Sequence, residues 1–507
     1  MKNNSRIKNS IFNISTNIIF QFINTIVSFI LRTVFIKMLS TEYLGINGLF
    51  TNILSVLSLA ELGIGNAIIY SMYKPLKEND ETKLSALITY YKKLYMRIGI
   101  IILILGLALV PFLKYILKTQ EEIPYITLYY ILFLINSVSS YFMVYKTSIV
   151  TADQKGYVLK KINIVFIFIK LISQLIVLIA FRSYLLYLII QIIISILMNY
   201  TMSKKAEKMY EFIKVKQDID IEEKNNIWNN IKAMFTYQIG GVVLNNTDNI
   251  MISIIVGTVA VGLYSNYSML VSTISTFASL LFTSMISSIG NFNVKSNNEE
   301  RSFLFKILNM IFYWVYGFSS VCFMILTQDF IELWIGKEYL LPNSTLYIII
   351  FNFYLTGLLY PILCFRNTTN LFRTTKYLML IASIINIVLS IILGNVWGIN
   401  GIFIATALSR LFTNIWYEPY ILCKNYFNKK VYKYYLKNIL EFLLLVIIIM
   451  LSRQICSYIV VNNKIIEFCI KLMICLIIPN VIMLIKYYKT DEFKYIKQKF
   501  SITKKEI

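Results

Sequence analysis

Apolar runs long enough to cross a lipid bilayer recur from one end of this 507-residue sequence to the other. A helix rises about 1.5 Å per residue, so about 20 apolar residues span the hydrocarbon core. Only 15% of the residues are charged. The pattern predicts an all-α polytopic membrane protein with about 14 transmembrane helices. The predicted spans are residues 11–34, 44–72, 94–113, 124–145, 162–181, 184–202, 233–256, 259–289, 304–327, 342–365, 377–396, 398–423, 437–461 and 465–486.

A degenerate internal repeat is the second constraint on the fold. Residues 21–58 match residues 238–275 at a shift of 217 without a gap. The alternative is chance, because Ser and Thr are common here, but the matches fall on polar and glycine positions, which carry information in a chain that is 57% hydrophobic. The shift also superimposes the first six spans on the next six, whereas the last two have no counterpart. The matched pairs are Gln21 and Gln238, Thr41 and Thr258, Gly45 and Gly262, Thr51 and Ser268, Ser55 and Ser272, and Ser58 and Ser275.

The repeat predicts four parts in the chain. Helices 1–6 form an N-terminal lobe (residues 1–203), and helices 7–12 form a C-terminal lobe (233–423). A cytoplasmic linker with an interfacial helix is expected between them (204–232). Helices 13 and 14 and a basic cytoplasmic tail follow (424–507). Six is an even number, so the lobes share one orientation and a pseudo-two-fold axis along the membrane normal should relate them.

The distribution of basic residues predicts the orientation in the membrane. Of the 49 Lys and Arg residues, 38 fall in segments that alternating spans place on one side of the bilayer. Basic loops stay in the cytoplasm, so both termini are expected there. The same bias accounts for most of the net charge of +23 without a nucleic-acid partner. The basic tail is expected to lie against anionic lipid headgroups, or to act only as a topology anchor.

The residue types present exclude several chemistries. The sequence has no histidine, and its six cysteines lie in or beside apolar runs without a CxxC pair. We therefore expect neither a metal site, nor a disulfide framework, nor a cofactor. No nucleophile–base arrangement is evident, so an enzyme is not expected.

Polar residues align on single faces of four predicted helices. Two explanations are open: small residues and hydroxyls allow tight helix packing, whereas amides and charges favour a water-filled cavity. The aligned sets are Gln21, Thr25, Ser28 and Arg32 on helix 1; Asn47, Thr51, Ser55, Ser58 and Glu61 on helix 2; Gln238, Asn245 and Asn249 on helix 7, with Asp248 beside them; and Ser268, Ser272, Ser275, Ser279 and Thr283 on helix 8.

Charged residues inside the predicted spans are the sharpest signal of function. Each costs about 2.5–3.5 kcal/mol at the bilayer centre, so such residues usually pair or serve a function. Arg32 could instead snorkel to the headgroups, and the others could form buried ion pairs. On the last two helices, Arg453, Lys471 and Glu467 are interpreted as a local structural group. The predicted substrate-binding residues are Arg32, Lys170, Arg410, Gln21, Gln238 and Asn245, and the candidates for ion coupling are Glu61 and Asp248.

Four stretches resemble bacterial polysaccharide repeat-unit flippases of the Wzx type. The longest covers residues 40–80, and the others are TADQKGYV (151–158), VGLYSNYS (261–268) and ELWIGKEYLL (332–341). These flippases belong to the multidrug/oligosaccharidyl-lipid/polysaccharide exporter superfamily, which has two six-helix lobes. The resemblance implies alternating-access transport of a polyprenyl-pyrophosphate-linked oligosaccharide, with a cationic cavity for its glycan and pyrophosphate. Membrane lipids, a polysaccharide polymerase and glycosyltransferases would be its partners.

Two other functions compete with this hypothesis. A multidrug cation antiporter of the same superfamily predicts a cavity rich in carboxylates and aromatic residues, whereas basic groups outnumber acidic ones three to two in the predicted core. A glycan polymerase or ligase usually has a sizeable outer loop bearing Arg or His, and the longest outer loop here is short, at about residues 328–341. The flippase is therefore favoured.

Overall fold

The computed structural model describes residues 2–61, 64–119, 123–368, 375 and 377–506. Eighteen α-helices occur in these ranges, so the predicted all-α architecture is found. They are α1 (Lys2–Met38), α2 (Thr41–Leu57), α3 (Ile64–Glu78), α4 (Glu81–Leu109), α5 (Leu113–Ile116), α6 (Ile126–Tyr141), α7 (Ser148–Ala152), α8 (Gly156–Phe181), α9 (Tyr184–Met209), α10 (Ile221–Ile255), α11 (Thr258–Lys295), α12 (Asn298–Trp334), α13 (Asn343–Thr368), α14 (Leu378–Phe412), α15 (Asn414–Leu422), α16 (Tyr432–Ser457), α17 (Lys464–Tyr487) and α18 (Asp491–Glu506).

Nine helical segments in the described ranges are long and apolar enough to cross a membrane. A tenth is added if the pair Ile126–Tyr141 and Val144–Ala152, bent by 42°, forms one span. One of the nine, Leu378–Phe427, has 50 residues, and Gly398 interrupts it with φ +57°. A φ of +57° combined with a ψ of −135° is readily adopted only by glycine. The kink therefore lies where the sequence separates two spans.

Three predicted spans, 44–72, 233–256 and 259–289, are not among these nine segments of the described ranges. Residues 44–72 were expected to form one helix, which is wrong: α2 ends at Leu57, a 3₁₀ turn follows over Ser58–Glu61, and α3 begins at Ile64. The spans 233–256 and 259–289 lie within α10 and α11. The expected interfacial helix of the linker is absent as a separate element in the described ranges, because residues 221–232 are the first turns of α10.

The chain divides into two compact units, Met1–Ser265 and Asn266–Ile507. In the first unit, α1 packs along α8, α6 packs against α4 and α9, and α10 packs against α2. Its core includes a cluster of aromatic rings from Phe35, Tyr43, Tyr129, Tyr184 and Tyr187, with centroids 4.9–6.2 Å apart. In the second unit, α12 lies at the centre and packs against α13, α16 and α17.

Residues paired by the internal repeat meet each other within the first unit. A Cβ atom added at Gly45 would lie 2.0 Å from the carbonyl oxygen of Thr258. Reciprocally, one added at Gly262 would lie 2.5 Å from the carbonyl oxygen of Thr41. The repeat matches Gly45 with Gly262 and Thr41 with Thr258. Gly45 therefore contacts the residue matched with Thr41, and Gly262 contacts Thr41 itself. A local two-fold axis produces reciprocal contacts of this kind.

Candidate functional site

A cavity of about 650 Å³ lies in the first unit, between α2, α6, α9 and α10. Its wall is mainly polar, with amides and hydroxyls from four helices. Its lining residues are Thr51, Leu54, Ser55, Ser58, Glu61, Gly65, Phe133, Asn136, Ser137, Gln191, Gln238, Val242 and Asn246. The cavity therefore offers many hydrogen-bonding groups and, among the described residues that line it, one formal charge.

That charge belongs to Glu61, which lies in the 3₁₀ turn after α2. The phenol of Tyr95 donates a hydrogen bond of 2.7 Å to Oε1 of Glu61. Tyr95 is held in turn by an edge-to-face contact with Tyr91, with ring centroids 4.3 Å apart. The break between α2 and α3 thus positions a half-buried carboxylate on the cavity wall.

The hydroxyl groups of α2 form one side of the cavity. Thr51, Ser55 and Ser58 each donate to the carbonyl oxygen one turn earlier, over 2.7–2.8 Å. A hydroxyl that donates its proton to the helix keeps its lone pairs. This face can therefore accept hydrogen bonds from a ligand that carries donors of its own.

On α10, the spacing of four residues brings Gln238, Val242 and Asn246 to the same wall. Gln238, one of the predicted binding residues, has no hydrogen-bond partner among the described residues. The predicted residue Asn245 lies one position away from the wall, is exposed, and donates to the carbonyl oxygen of Gly241 at 2.7 Å. Asp248 is half-buried on α10 and is not among the lining residues described.

The polar lining residues on α6 and α9 were missed by the sequence reasoning; they are Asn136, Ser137 and Gln191. Each is a polar residue in the middle of an apolar run, and this pattern could have marked it as a candidate lining residue. The side-chain oxygen of Asn136 is buried and has no hydrogen-bond partner in the described part of the chain. An unsatisfied buried oxygen in a cavity wall costs free energy unless water or a ligand meets it.

Arg32 lies near the end of α1, away from the cavity lining. One terminal nitrogen, Nη2, donates to the hydroxyl of Ser265 at 2.7 Å, and Tyr187 is its electrostatic neighbour. Its Nε is buried and has no hydrogen-bond partner within the described ranges. No carboxylate pairs with Arg32 in the part of the chain described. Its guanidinium charge is therefore met only by neutral groups.

Lys170 lies on α8, one turn before the fully buried Gln174. It has neither a hydrogen bond nor an ion pair among the residues described. Gln174 donates weakly, over 3.4 Å, to the carbonyl oxygen of Tyr187 and to the side-chain oxygen of Gln191. Because Gln191 lines the cavity, Gln174 connects the face of α8 that bears Lys170 to the cavity wall.

Helices α1 and α8 run in the same direction. Asn13 accepts a hydrogen bond of 2.7 Å from the backbone N–H of Tyr157, and further on Lys160 lies 4.1 Å from the ring of Phe20. Measured along the helix axes from the contact between Asn13 and Tyr157, Arg32 lies about 28 Å along α1 and Lys170 about 20 Å along α8. Arg32 and Lys170 are thus within about two turns of the same depth.

Two further predicted residues lie apart from this cavity. Arg410, on α14 of the second unit, donates from Nη1 to Thr356 Oγ1 at 2.8 Å and to the carbonyl oxygen of Asn352 at 3.2 Å. Gln21 is half-buried on α1 without a hydrogen-bond partner among the described residues. In the first unit, neither Arg32 nor Lys170 is among the described residues that line the cavity.

The second unit also contains charged pairs that bear on the predictions. Of the predicted local group, Lys471 lies 2.6 Å from Glu467 and also 2.8 Å from Asp329. Arg453 instead donates to the hydroxyl of Tyr347 at 3.0 Å. Sequence reasoning missed the buried pair of Arg366 and Glu418, whose atoms approach to 2.7 Å. All six cysteines are free, and the described residues contain no group of three or more acidic or Cys side chains suited to a metal ion.

Comparison with known proteins places this fold. The family of polysaccharide biosynthesis proteins matches residues 10–289, more than half of the chain. No curated protein matches the chain. Among solved structures, the chain resembles the lipid II flippase MurJ in an inward closed conformation, with a TM-score of 0.63 and 18% identity over 93% of this chain and 98% of that chain.

Multidrug transporters have the same fold. The transporter DinF-BH, of the MATE class, in complex with R6G, matches with a TM-score of 0.59 and 15% identity over 84% of this chain and 96% of that chain. A mutant of the Vibrio cholerae MATE transporter VcmN matches with a TM-score of 0.58 and 14% identity over 85% and 99% of the two chains. The predicted fold, an all-α polytopic exporter architecture, is confirmed, and the chain is a multi-pass membrane protein.

Proposed function

We propose that this chain, which belongs to the family of polysaccharide biosynthesis proteins, moves polyprenyl-pyrophosphate-linked oligosaccharide units across the bacterial cytoplasmic membrane. The product would supply a surface polysaccharide such as capsule, O-antigen, exopolysaccharide or a teichoic-type polymer. The observation that carries the proposal is the cavity of about 650 Å³ lined by amides and hydroxyls. Sugar hydroxyls both donate and accept hydrogen bonds, and this wall provides the complementary groups.

Arg32 and Lys170, which have no carboxylate partner among the described residues, support an anionic substrate. A guanidinium binds phosphate through two parallel hydrogen bonds, whereas an ammonium acts as a point charge. In this proposal, the pyrophosphate contacts Arg32 and Lys170, and the glycan occupies the cavity that contains Gln238. Arg410 of the second unit, with Gln21 and Asn245, remains a proposed contact at another stage of transport.

The transport cycle is proposed to use alternating access between the lobes at residues 1–203 and 233–423. The linker at 204–232 would lie in the cytoplasm, as would both termini. The part at 424–507, with its basic tail, would lie beside the lobes as an addition. The polyprenyl tail would stay in the lipid while the headgroup crosses, because only the headgroup needs a polar path.

Glu61 and Asp248 are proposed to couple transport to the entry of a proton or sodium ion. Glu61 is the better placed of the two, since it lines the cavity and is held by Tyr95. Replacing Glu61 with Gln keeps an acceptor for Tyr95 but removes the titratable group. We expect Glu61→Gln to slow transport without lowering thermal stability, and unimpaired transport by Glu61→Gln/Asp248→Asn would refute ion coupling at these residues.

A multidrug cation antiporter is the second candidate. The observation in its favour is that Glu61 is the charged residue lining the cavity in the described part of the first unit. A carboxylate attracts a cationic drug, and the phenyl ring of Phe133 adds an aromatic surface. Under this alternative, Arg32 and Lys170 would have no direct role in transport.

The experiment is deletion of the gene in its native host and complementation with wild type, Arg32→Ala, Lys170→Ala or Arg410→Ala. The flippase proposal expects loss of surface polymer in the deletion strain and accumulation of lipid-linked units facing the cytoplasm. Lys160→Ala, on the same helix as Lys170, is the matched control and should complement fully. Unchanged surface polymer with raised drug sensitivity would instead favour the antiporter.

A further inference from the structure

A second cavity, of about 500 Å³, lies in the second unit and is bordered by five lysines. The lysines come from three separate segments: α12, the turn after residue 427, and α16. They are Lys306, Lys429, Lys430, Lys433 and Lys437. We call this cavity the lysine pocket.

Local structure explains how the lysines converge. A π-helical segment, Cys423–Phe427, ends at Asn428, whose φ of +51° reverses the chain. The N–H of Lys429 then closes the turn on the carbonyl oxygen of Cys423 at 3.0 Å. Lys433 and Lys437 follow one turn apart on α16, so they lie on the same face.

The positive charge of the lysine pocket is largely uncompensated. No carboxylate is among its described lining residues. Lys306, Lys430 and Lys433 have no ion pair in the described part of the chain, and Lys429 donates to the neutral hydroxyl of Ser302 at 2.9 Å.

Lys437 lies 3.8 Å from Glu441, but that carboxylate is shared. It also lies 3.4 Å from Lys486 and accepts a hydrogen bond of 2.6 Å from Tyr487. Neighbouring like charges on a helix are unfavourable in themselves. The cluster therefore does not stabilise the empty protein, and an anion would relieve its repulsion.

The position of the lysine pocket indicates a lipid as the source of that anion. The pocket lies near the N-terminal ends of α12 and α16, which are both candidate membrane spans. Such ends are where a span leaves the hydrocarbon for the headgroup layer. Beneath the lysines, the rings of Phe305, Phe427 and Tyr434 pack with centroids 5.2–5.6 Å apart and give the pocket an apolar floor.

We propose that the lysine pocket binds the phosphate headgroup of an anionic membrane phospholipid. The headgroup phosphate contacts the lysines, and the glycerol and upper acyl carbons contact the aromatic floor. The usual excess of basic residues in cytoplasmic loops explains why lysines are present here. It does not explain why lysines from three segments surround one cavity. This inference does not rest on the identity of the transported substrate.

The test is a lipid titration of the purified full-length chain in detergent, with bound lipid counted by native mass spectrometry. The variant is Lys430→Gln/Lys433→Gln. Its matched control is Lys205→Gln/Lys208→Gln on α9, which removes two exposed lysines at the same spacing outside the pocket. Each basic side chain contributes a factor of about five to the binding of an anionic headgroup, so the variant should bind phosphatidylglycerol about 25-fold more weakly.

Wild type and the control should bind phosphatidylglycerol equally, and phosphatidylcholine should bind weakly to all forms. Lys430→Arg/Lys433→Arg keeps the charge and should restore binding, which separates lost charge from misfolding. Equal binding of phosphatidylglycerol to Lys430→Gln/Lys433→Gln and wild type overturns the proposal. Displacement of bound phosphatidylglycerol by an equal concentration of inorganic phosphate overturns the lipid source, because the pocket then takes a soluble anion.

Discussion

The reciprocal contact between α2 and α11 gives a prediction whose size follows from the structure. A methyl group at Gly45 would lie 2.0 Å from the carbonyl oxygen and 2.9 Å from the carbonyl carbon of Thr258. Both atoms belong to the backbone, so no side chain can rotate away. Ordinary contact requires the two helices to separate by more than 1 Å, and overpacking of this kind typically costs about 1–3 kcal/mol.

Gly262→Ala should behave in the same way, because its methyl group would lie 2.5 Å from the carbonyl oxygen of Thr41. Gly48→Ala is the matched control. Its methyl group would lie 3.6 Å from the nearest side-chain atom, Cγ1 of Val261, which is ordinary van der Waals contact. We expect Gly45→Ala and Gly262→Ala to lower the apparent Tm by several degrees, while Gly48→Ala leaves it unchanged or slightly raises it.

The assay is thermal unfolding of the purified chain, followed by loss of the monodisperse peak in detergent. A Gly45→Ala variant as stable as wild type would show that the helices do not approach this closely. An equal loss of Tm in Gly48→Ala would show that replacing a helix glycine destabilises this region for a reason other than the contact with the Thr258 carbonyl group. Either result would remove the reciprocal contact as support for a two-fold relation between the repeats.

Three further predictions concern other sites. Arg366→Met should destabilise the second unit by about 3–5 kcal/mol, because it leaves the buried carboxylate of Glu418 without its ion-pair partner. Arg366→Met/Glu418→Leu should lose far less stability. Thermal unfolding of the two variants distinguishes them. A hydrogen bond from Lys93 lowers the pKa of Asp218, so this exposed pair contributes stability above the ordinary aspartate pKa and loses it as the pH falls through the lowered value. Asp218→Asn should therefore reduce the Tm slightly at neutral pH and low salt, and not at all in strong acid or high salt. Asn136→Leu should slow transport while preserving stability, because its side-chain oxygen has no partner to lose.

Helical periodicity in the sequence located part of the candidate site. Helical spacing brings Thr51 and Ser55 to the cavity, whereas Ser58 and Glu61 line it from the 3₁₀ turn that follows α2. Gln238 lines it too. The sequence favoured Asn245, whereas the neighbouring Asn246 lines the cavity. A single-residue step rotates a side chain by about 100° around a helix, and an adjacent pair of asparagines does not reveal which one faces inward.

Other features depend on tertiary contacts that no local pattern reveals. The 3₁₀ turn after Leu57 contains no proline, so the sequence predicted one continuous helix through it. Gln191 is a single polar residue in an apolar run, and only the packing of α9 makes it part of a wall. Arg366 lies one residue beyond the predicted span 342–365, but α13 extends past it and it pairs with Glu418. The lysines of the pocket were counted one by one as topology signals, because their convergence needs three segments to meet.

The central claim is that this chain translocates a lipid-linked oligosaccharide, and reconstitution tests it most directly. The purified full-length chain would be placed in liposomes that contain a polyprenyl-pyrophosphate-linked oligosaccharide labelled on its glycan. A glycan-modifying enzyme added outside then measures how much substrate reaches the outer leaflet. We expect the labelled substrate to become accessible with time, faster with wild type than with Lys170→Ala, and not in protein-free liposomes. Substrate that stays as protected as in protein-free liposomes, together with export of a cationic dye by the same preparation, would contradict the claim.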